Sequence, residues 1–133
     1  MIVGTGIDLV EIERVQRALA IWGERMLQRL FSDRELAIFP PGRELARRAA
    51  GRLAAKEAVL KALGTGLSGC SWRDVEVLRD ERGRPVCHLS GQAARIAAQR
   101  GICRIEVSIS HGREQAIAHA LALGRQGGER ECD

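Results

Sequence analysis

Hydrophobic residues recur along this chain with two periods, and the period changes where the elements change. From residue 2 to 9 every second position matches. Val3, Thr5, Ile7 and Leu9 point one way and Ile2, Gly4, Gly6 and Asp8 the other, as on a short strand. The face holding Asp8 carries two glycines and little bulk, which leaves space for something to approach the carboxylate. From residue 11 to 21 the period becomes helical, with Ile12, Val15 and Leu19 inward, Glu11, Arg14 and Arg17 outward, and Gly23 as the stop. A second helical piece runs from Glu24 to Leu30. Ser32, with Glu35 three residues on, is a capping signal, and Pro40-Pro41-Gly42 then breaks the helical pattern.

The longest helical run extends from about Glu44 to Leu63 and stops at Gly64-Thr65-Gly66. At about 100° per residue, Ala49, Leu53, Leu60 and Leu63 share one face; Lys56 falls inside that stripe, Glu57 on its margin and Lys61 one step further out. A lysine rarely stays buried without a partner, so Lys56 either snorkels or points into a polar pocket at a subunit boundary.

Strands dominate the second half. Val75 to Leu78 and Val86 to Leu89 flank a turn-rich segment and read as a hairpin. Gly91 to Arg100 is an alanine-rich helix that Ser90 can cap and Gly101 can end. Ile105, Val107 and Ile109 alternate up to Ser110-His111-Gly112, and Gln115 to Leu123 returns as the partner strand. Helices early and antiparallel hairpins late imply an α+β fold, an antiparallel sheet packed against the long helix, as one compact domain over residues 1–123. The tail, residues 124–133, has nothing apolar to bury and is expected to fray.

Composition narrows the classes. At 133 residues the chain fits one domain, and 45% hydrophobic with 29% charged residues excludes general disorder and a coiled coil. A net charge of +4 favours a polyanionic partner: nucleic acid, a phosphorylated cofactor or an acidic protein. Aromatics at 3% count against single-stranded nucleic acid, which is bound by stacking on rings. Cys70, Cys87, Cys103 and Cys132 form no C-x-x-C pair, so free thiols in a reducing compartment are expected. The N-terminus lacks a signal-peptide pattern and no apolar run approaches membrane-spanning length, which places the protein in the cytoplasm, with no membrane partner.

Several residues carry both a bland and a chemical reading. Asp8-x-x-Glu11 has the form of a capping box, although the glycines before Asp8 favour a ligand. Glu57 and Lys61, four apart, suit an ordinary helical ion pair. Gly64-Thr-Gly66-Leu-Ser-Gly69 matches G-x-G-x-x-G but comes after a helix, which rules out a dinucleotide fingerprint. What remains for it is a helix stop, with backbone N–H groups able to meet phosphate. His111 closes a strand, a place where a lone histidine is usually a turn residue, and His88 and His119 are sheet residues.

Taken together, Gly4-x-Gly6-x-Asp8, Arg52-x-x-Ala-Lys56-Glu57-Ala-x-x-Lys61-Ala-x-Gly64-Thr-Gly66 and Ser108-x-Ser-His111 form an ordered set. In it the chain resembles the bacterial holo-acyl-carrier-protein synthases, 4'-phosphopantetheinyl transferases, over residues 1 to about 123. The resemblance implies transfer of the phosphopantetheine arm of coenzyme A to a serine of apo acyl carrier protein, releasing adenosine 3',5'-bisphosphate, in fatty-acid biosynthesis. It implies Mg2+ held by Asp8 and Glu57, with Lys61 neutralising pyrophosphate charge. Magnesium suits so small a set, since it fills its octahedron with water and substrate oxygens. Glu57, directly or through water, ranks ahead of a magnesium-bound water as the base. Arg52, Gly64, Thr65, Gly66 and His111 would serve coenzyme A, His111 from a neighbouring subunit of a homotrimer with interfacial sites. Arg14 would hold the acidic carrier protein, with Arg17 and Arg25 extending the patch. Leu53, where many members carry an aromatic, and the Pro40-Pro41-Gly42 linker depart from the family pattern. Two other readings remain: a binding module for coenzyme A or nucleic acid, and a noncatalytic interaction protein using its arginine face.

Overall fold

A computed structural model describes residues 1–66 and 69–125. The order of elements is β1 (Ile2–Glu11), α1 (Ile12–Trp22), α2 (Glu24–Leu30), α3 (Asp33–Ile38), α4 (Arg43–Leu63), a 3-10 turn (Trp72–Asp74), β2 (Val75–Arg79), β3 (Pro85–Leu89), α5 (Gly91–Gln99), β4 (Ile102–His111) and β5 (Gln115–Gly124). The expected α+β architecture is present: an antiparallel sheet of order β1-β5-β4 packs on the long helix, and β2 and β3 form a separate hairpin.

The sheet meets α4 through very small residues. Inward positions of β5 are Ala116, Ala118, Ala120 and Ala122, all buried, and those of β1 include Gly4 and Gly6. A Cβ on Gly4 would collide with the Ala62 carbonyl, and one on Gly6 with that of Ala58. The space that the glycines clear beside Asp8 is therefore taken by the backbone of α4 itself, which corrects the expectation of an open approach. Close backbone packing needs residues without side-chain bulk, and this contact fixes where α4 lies along β1.

α4 is buried on more than one stripe. Ala54, Ala55, Ala58, Val59, Leu60, Ala62 and Leu63 all belong to the core, because the sheet covers one side and α1, β2 and α5 approach others. It ends as its sequence predicts: Gly64 is left-handed (φ 79°) and its N–H donates to the carbonyls of Leu60 and Lys61. Ser32 caps α3 in a full capping box with Glu35. Ser90 occupies the N-cap of α5, but its side chain makes no capping bond, contrary to expectation.

Among the described residues no helix is long and apolar enough to cross a membrane. Cys70 and Cys87 are free thiols as expected, whereas Cys103 is disulfide-bonded, which corrects that expectation. Cys132, residues 126–133 of the tail, and Leu67 and Ser68 of the glycine-rich segment lie outside the described residues.

Candidate active site

Asp8 is a strand residue, opposite Ala118 of β5, and not a helix cap. The N-cap of α1 is Glu11, whose side chain makes no capping bond, so the capping-box reading of Asp8-x-x-Glu11 fails. Asp8 lies on the face of β1 that meets α4, and there two α4 residues reach it. Lys61 Nζ donates to Asp8 Oδ1 at 3.0 Å and to the Ile7 carbonyl at 3.0 Å. Lys61 thus turns to Asp8, and the helical pair with Glu57 gives way to a bond between helix and strand.

Glu57 sits half-buried within hydrogen-bonding range of Asp8. Burial, the bond to Asp8 and the Asp8 charge raise its pKa from 4.5 to about 7, while Lys61 and Arg14 pull the other way. Asp8 Oδ2 is buried and receives no hydrogen bond from any donor. Two converging carboxyls, one held partly protonated and one with an orphaned oxygen, are a donor set a hard cation would satisfy. Among the described residues no third histidine, cysteine or acid joins them, which leaves the remaining positions of an octahedron to water and ligand oxygens.

A cationic corner lies on another face of α4. Arg52 is only 4% exposed and its Nε has no partner; burial lowers its pKa, and Arg79 and Arg48 push it the same way. His111 packs against Gly51, its Nε2 buried without a partner and its pKa lowered by burial and by Arg47, Arg48 and Arg52. The Arg47 guanidinium also donates to the His111 carbonyl at 3.4 Å. Glu44 pairs with Arg47 at 4.0 Å, but the positive charges outnumber the nearby acids, and with two orphaned polar atoms among them they suit a bound anion such as phosphate. Sequence reasoning found Arg52 and His111 but missed Arg47, Arg48 and Arg79. Arg48 and Arg52, four apart on the helix, carried a signal.

The other expected residues divide. The N–H groups of Gly64, Thr65 and Gly66 all return to carbonyls of α4, so they terminate the helix and are not free for phosphate. Arg14 is exposed on α1, close enough to act on the charge of Glu57. Arg17 is also exposed and pairs with Glu13 at 3.1 Å, and Arg25 is exposed on α2. Lys56 neither snorkels nor meets a boundary. It is fully buried, with Nζ donating to Glu35 Oε1 at 2.7 Å, to the Trp72 carbonyl at 3.0 Å and to the Val75 carbonyl, beneath the Phe31 ring. Burial lowers its pKa and Glu35 opposes that shift.

Thiol chemistry has little support, because burial pushes Cys87 up to about 12. A groove of about 830 Å3 between the β2–β3 hairpin and β4, lined by residues such as Pro85, Cys87 and Ile105, holds none of these site residues. One of about 380 Å3 borders His111.

Comparison with known proteins gives a consistent picture. Residues 4–120 match the family described as the 4'-phosphopantetheinyl transferase superfamily. A holo-acyl-carrier-protein synthase of Desulforudis audaxviator is 47% identical over 131 residues, covering 98% of this chain and all of the relative. The fold is similar to that of a Plasmodium yoelii acyl carrier protein synthase with ADP bound, with TM-score 0.87, 33% identity and coverage of 95% of this chain and 98% of that one. It is also similar to a Bacillus anthracis holo-acyl-carrier-protein synthase in complex with coenzyme A (3',5'-ADP), with TM-score 0.79, 34% identity and coverage of 94% and 99%.

Proposed function

The chain belongs to the 4'-phosphopantetheinyl transferase superfamily and, within it, to the holo-acyl-carrier-protein synthases, and from that premise we propose how its residues divide the work. The enzyme moves the 4'-phosphopantetheine moiety of coenzyme A to a serine of apo acyl carrier protein and releases adenosine 3',5'-bisphosphate. The observation that carries the assignment of residues is the Asp8–Glu57 carboxyl pair, with its raised pKa and its orphaned oxygen.

Asp8 and Glu57 hold Mg2+, which when bound supplies a Lewis acid for the pyrophosphate. Lys61, placed by Asp8 and the Ile7 carbonyl, presents its remaining N–H to the phosphate on which charge builds as the serine oxygen attacks. Glu57, directly or through a water, takes the serine proton. Arg52 and His111, with Arg47 and Arg48 beside them, bind the 3'-phosphate of the nucleotide. Gly64, Thr65 and Gly66 border it by shape, since their N–H groups are already used.

Arg14, Arg17 and Arg25 form the face for the acidic carrier protein. The exposed Ile21 and Trp22 at the end of α1 add apolar area there. The protein acts as a cytoplasmic homotrimer in fatty-acid biosynthesis, with its transferase domain at residues 1–123 and a tail at residues 124–133. Two features favour assembly. The sheet face turned away from α4 exposes Ile7 (62%), Leu9 (48%) and Ile117 (40%), and the acid pair and cationic corner lie on different faces of α4.

The test is mass spectrometry of apo acyl carrier protein after incubation with the enzyme, coenzyme A and Mg2+. The carrier gains about 340 Da, the mass of the arm. A carrier left unchanged by folded enzyme contradicts the proposal.

A further inference from the structure

Toward β1 and β5, α4 presents alanines to glycines and alanines: Ala58 and Ala62 lie against Gly6 and Gly4, and the inward side of β5 is alanine throughout. Such a contact permits close approach, but it has few ridges and grooves to resist rotation of the helix about its own axis. On the opposite side the buried Val59, Leu60 and Leu63 pack without directional bonds, and one long side chain among them adds a directional key. Lys56, fully buried, has its three N–H groups matched by three acceptors on three segments: Glu35 Oε1 on α3, the Trp72 carbonyl in the 3-10 turn and the Val75 carbonyl in β2. Glu35 is fixed in turn, accepting from the Ser32 N–H at 2.9 Å and the Val77 N–H at 3.0 Å.

Stability does not explain this arrangement, since a buried ion pair is commonly no more stable than well-packed apolar residues of the same volume. Geometry does. Glu57 is the next residue, about 100° round the helix, so any rotation that Lys56 prevents would carry the Glu57 carboxyl away from Asp8. We propose that Lys56 is a positioning residue, its bond to Glu35 fixing the rotation of α4 and thereby the aim of Glu57 at Asp8. The inference rests on the assignment of Asp8 and Glu57 as the metal site.

The experiment uses two variants of the full chain. Glu35→Gln with Lys56→Met removes both charges together, so that neither is left buried alone, and Lys56→Arg keeps the charge on a longer, rigid fork. For each, thermal melting, Mg2+ affinity by calorimetry with coenzyme A present, and kcat and KM for the carrier are measured. In a folded variant Mg2+ affinity and kcat each fall about 10- to 100-fold while KM for the carrier holds. A pair that served stability alone would lower the melting temperature and leave the other quantities in place. A folded variant whose Mg2+ affinity and kcat stay within about twofold of wild type overturns the inference. If the double variant does not fold, Lys56→Arg decides by the same criterion. A wild-type protein that neither binds Mg2+ nor transfers the arm overturns the site assignment as well, an outcome distinct from an active wild type beside an unimpaired variant.

Discussion

Glu57 owes its chemistry to its neighbours. Burial and the Asp8 carboxyl penalise its charge more than Lys61 and Arg14 support it, so its pKa stands at about 7 against an ordinary 4.5. Because the folded value is raised, the metal-free protein gains stability from protonated Glu57; that gain is complete below about pH 4.5 and is lost as the pH rises through about 7. The metal-free melting temperature should therefore fall between about pH 5 and about pH 8, and Glu57→Gln should flatten that fall. Calorimetric melting of both proteins checks this, and an equally steep fall in the variant would place the pH dependence elsewhere. The sequence shows that Lys56 is out of place but not who answers it. Glu35, 21 residues earlier, already had a sufficient role as a capping-box acid, and nothing local reveals that it also accepts from Lys56 and Val77.

At the scale of elements, the 2.0 and 3.6 periods place nearly every strand and helix, because each buries a face against a neighbour. The relation between β1 and α4 is less legible. Glycine next to an acid is compatible with an open site or with close backbone contact, and only the tertiary fold selects the second. Gly6→Ala should accordingly cost about 1–3 kcal/mol or more, because the new methyl meets the Ala58 carbonyl and not a flexible side chain. Urea denaturation measures the cost. An unchanged midpoint would mean that β1 and α4 are not held as closely as described. The same displacement would separate Asp8 from Glu57 and Lys61, so Mg2+ dependence should weaken with stability. In the same way Arg47 and Arg48 escaped notice as members of a charged helix start, and become part of a site only when β4 brings His111 against Gly51.

For the whole molecule, the outward face of the sheet matters most. Leu9 pairs with Ile117 and Ile7 with His119 across β1 and β5, a largely apolar surface on a chain whose net charge is +4. Covering that face with further copies would bury it and bring the cationic corner of one chain toward another. Light scattering should give three times 14.5 kDa, and Leu9→Glu should release single chains. A wild-type protein that runs as one chain would contradict the trimer while leaving the acid pair untouched. The proposed metal site is tested most directly by the carrier-mass assay run across a Mg2+ titration with wild type, Asp8→Asn and Glu57→Gln, each first shown to be folded. The account predicts that wild type loads the carrier in proportion to Mg2+ and that both variants slow by roughly 100-fold or more. Loading by either folded variant at the wild-type rate and Mg2+ dependence would contradict it.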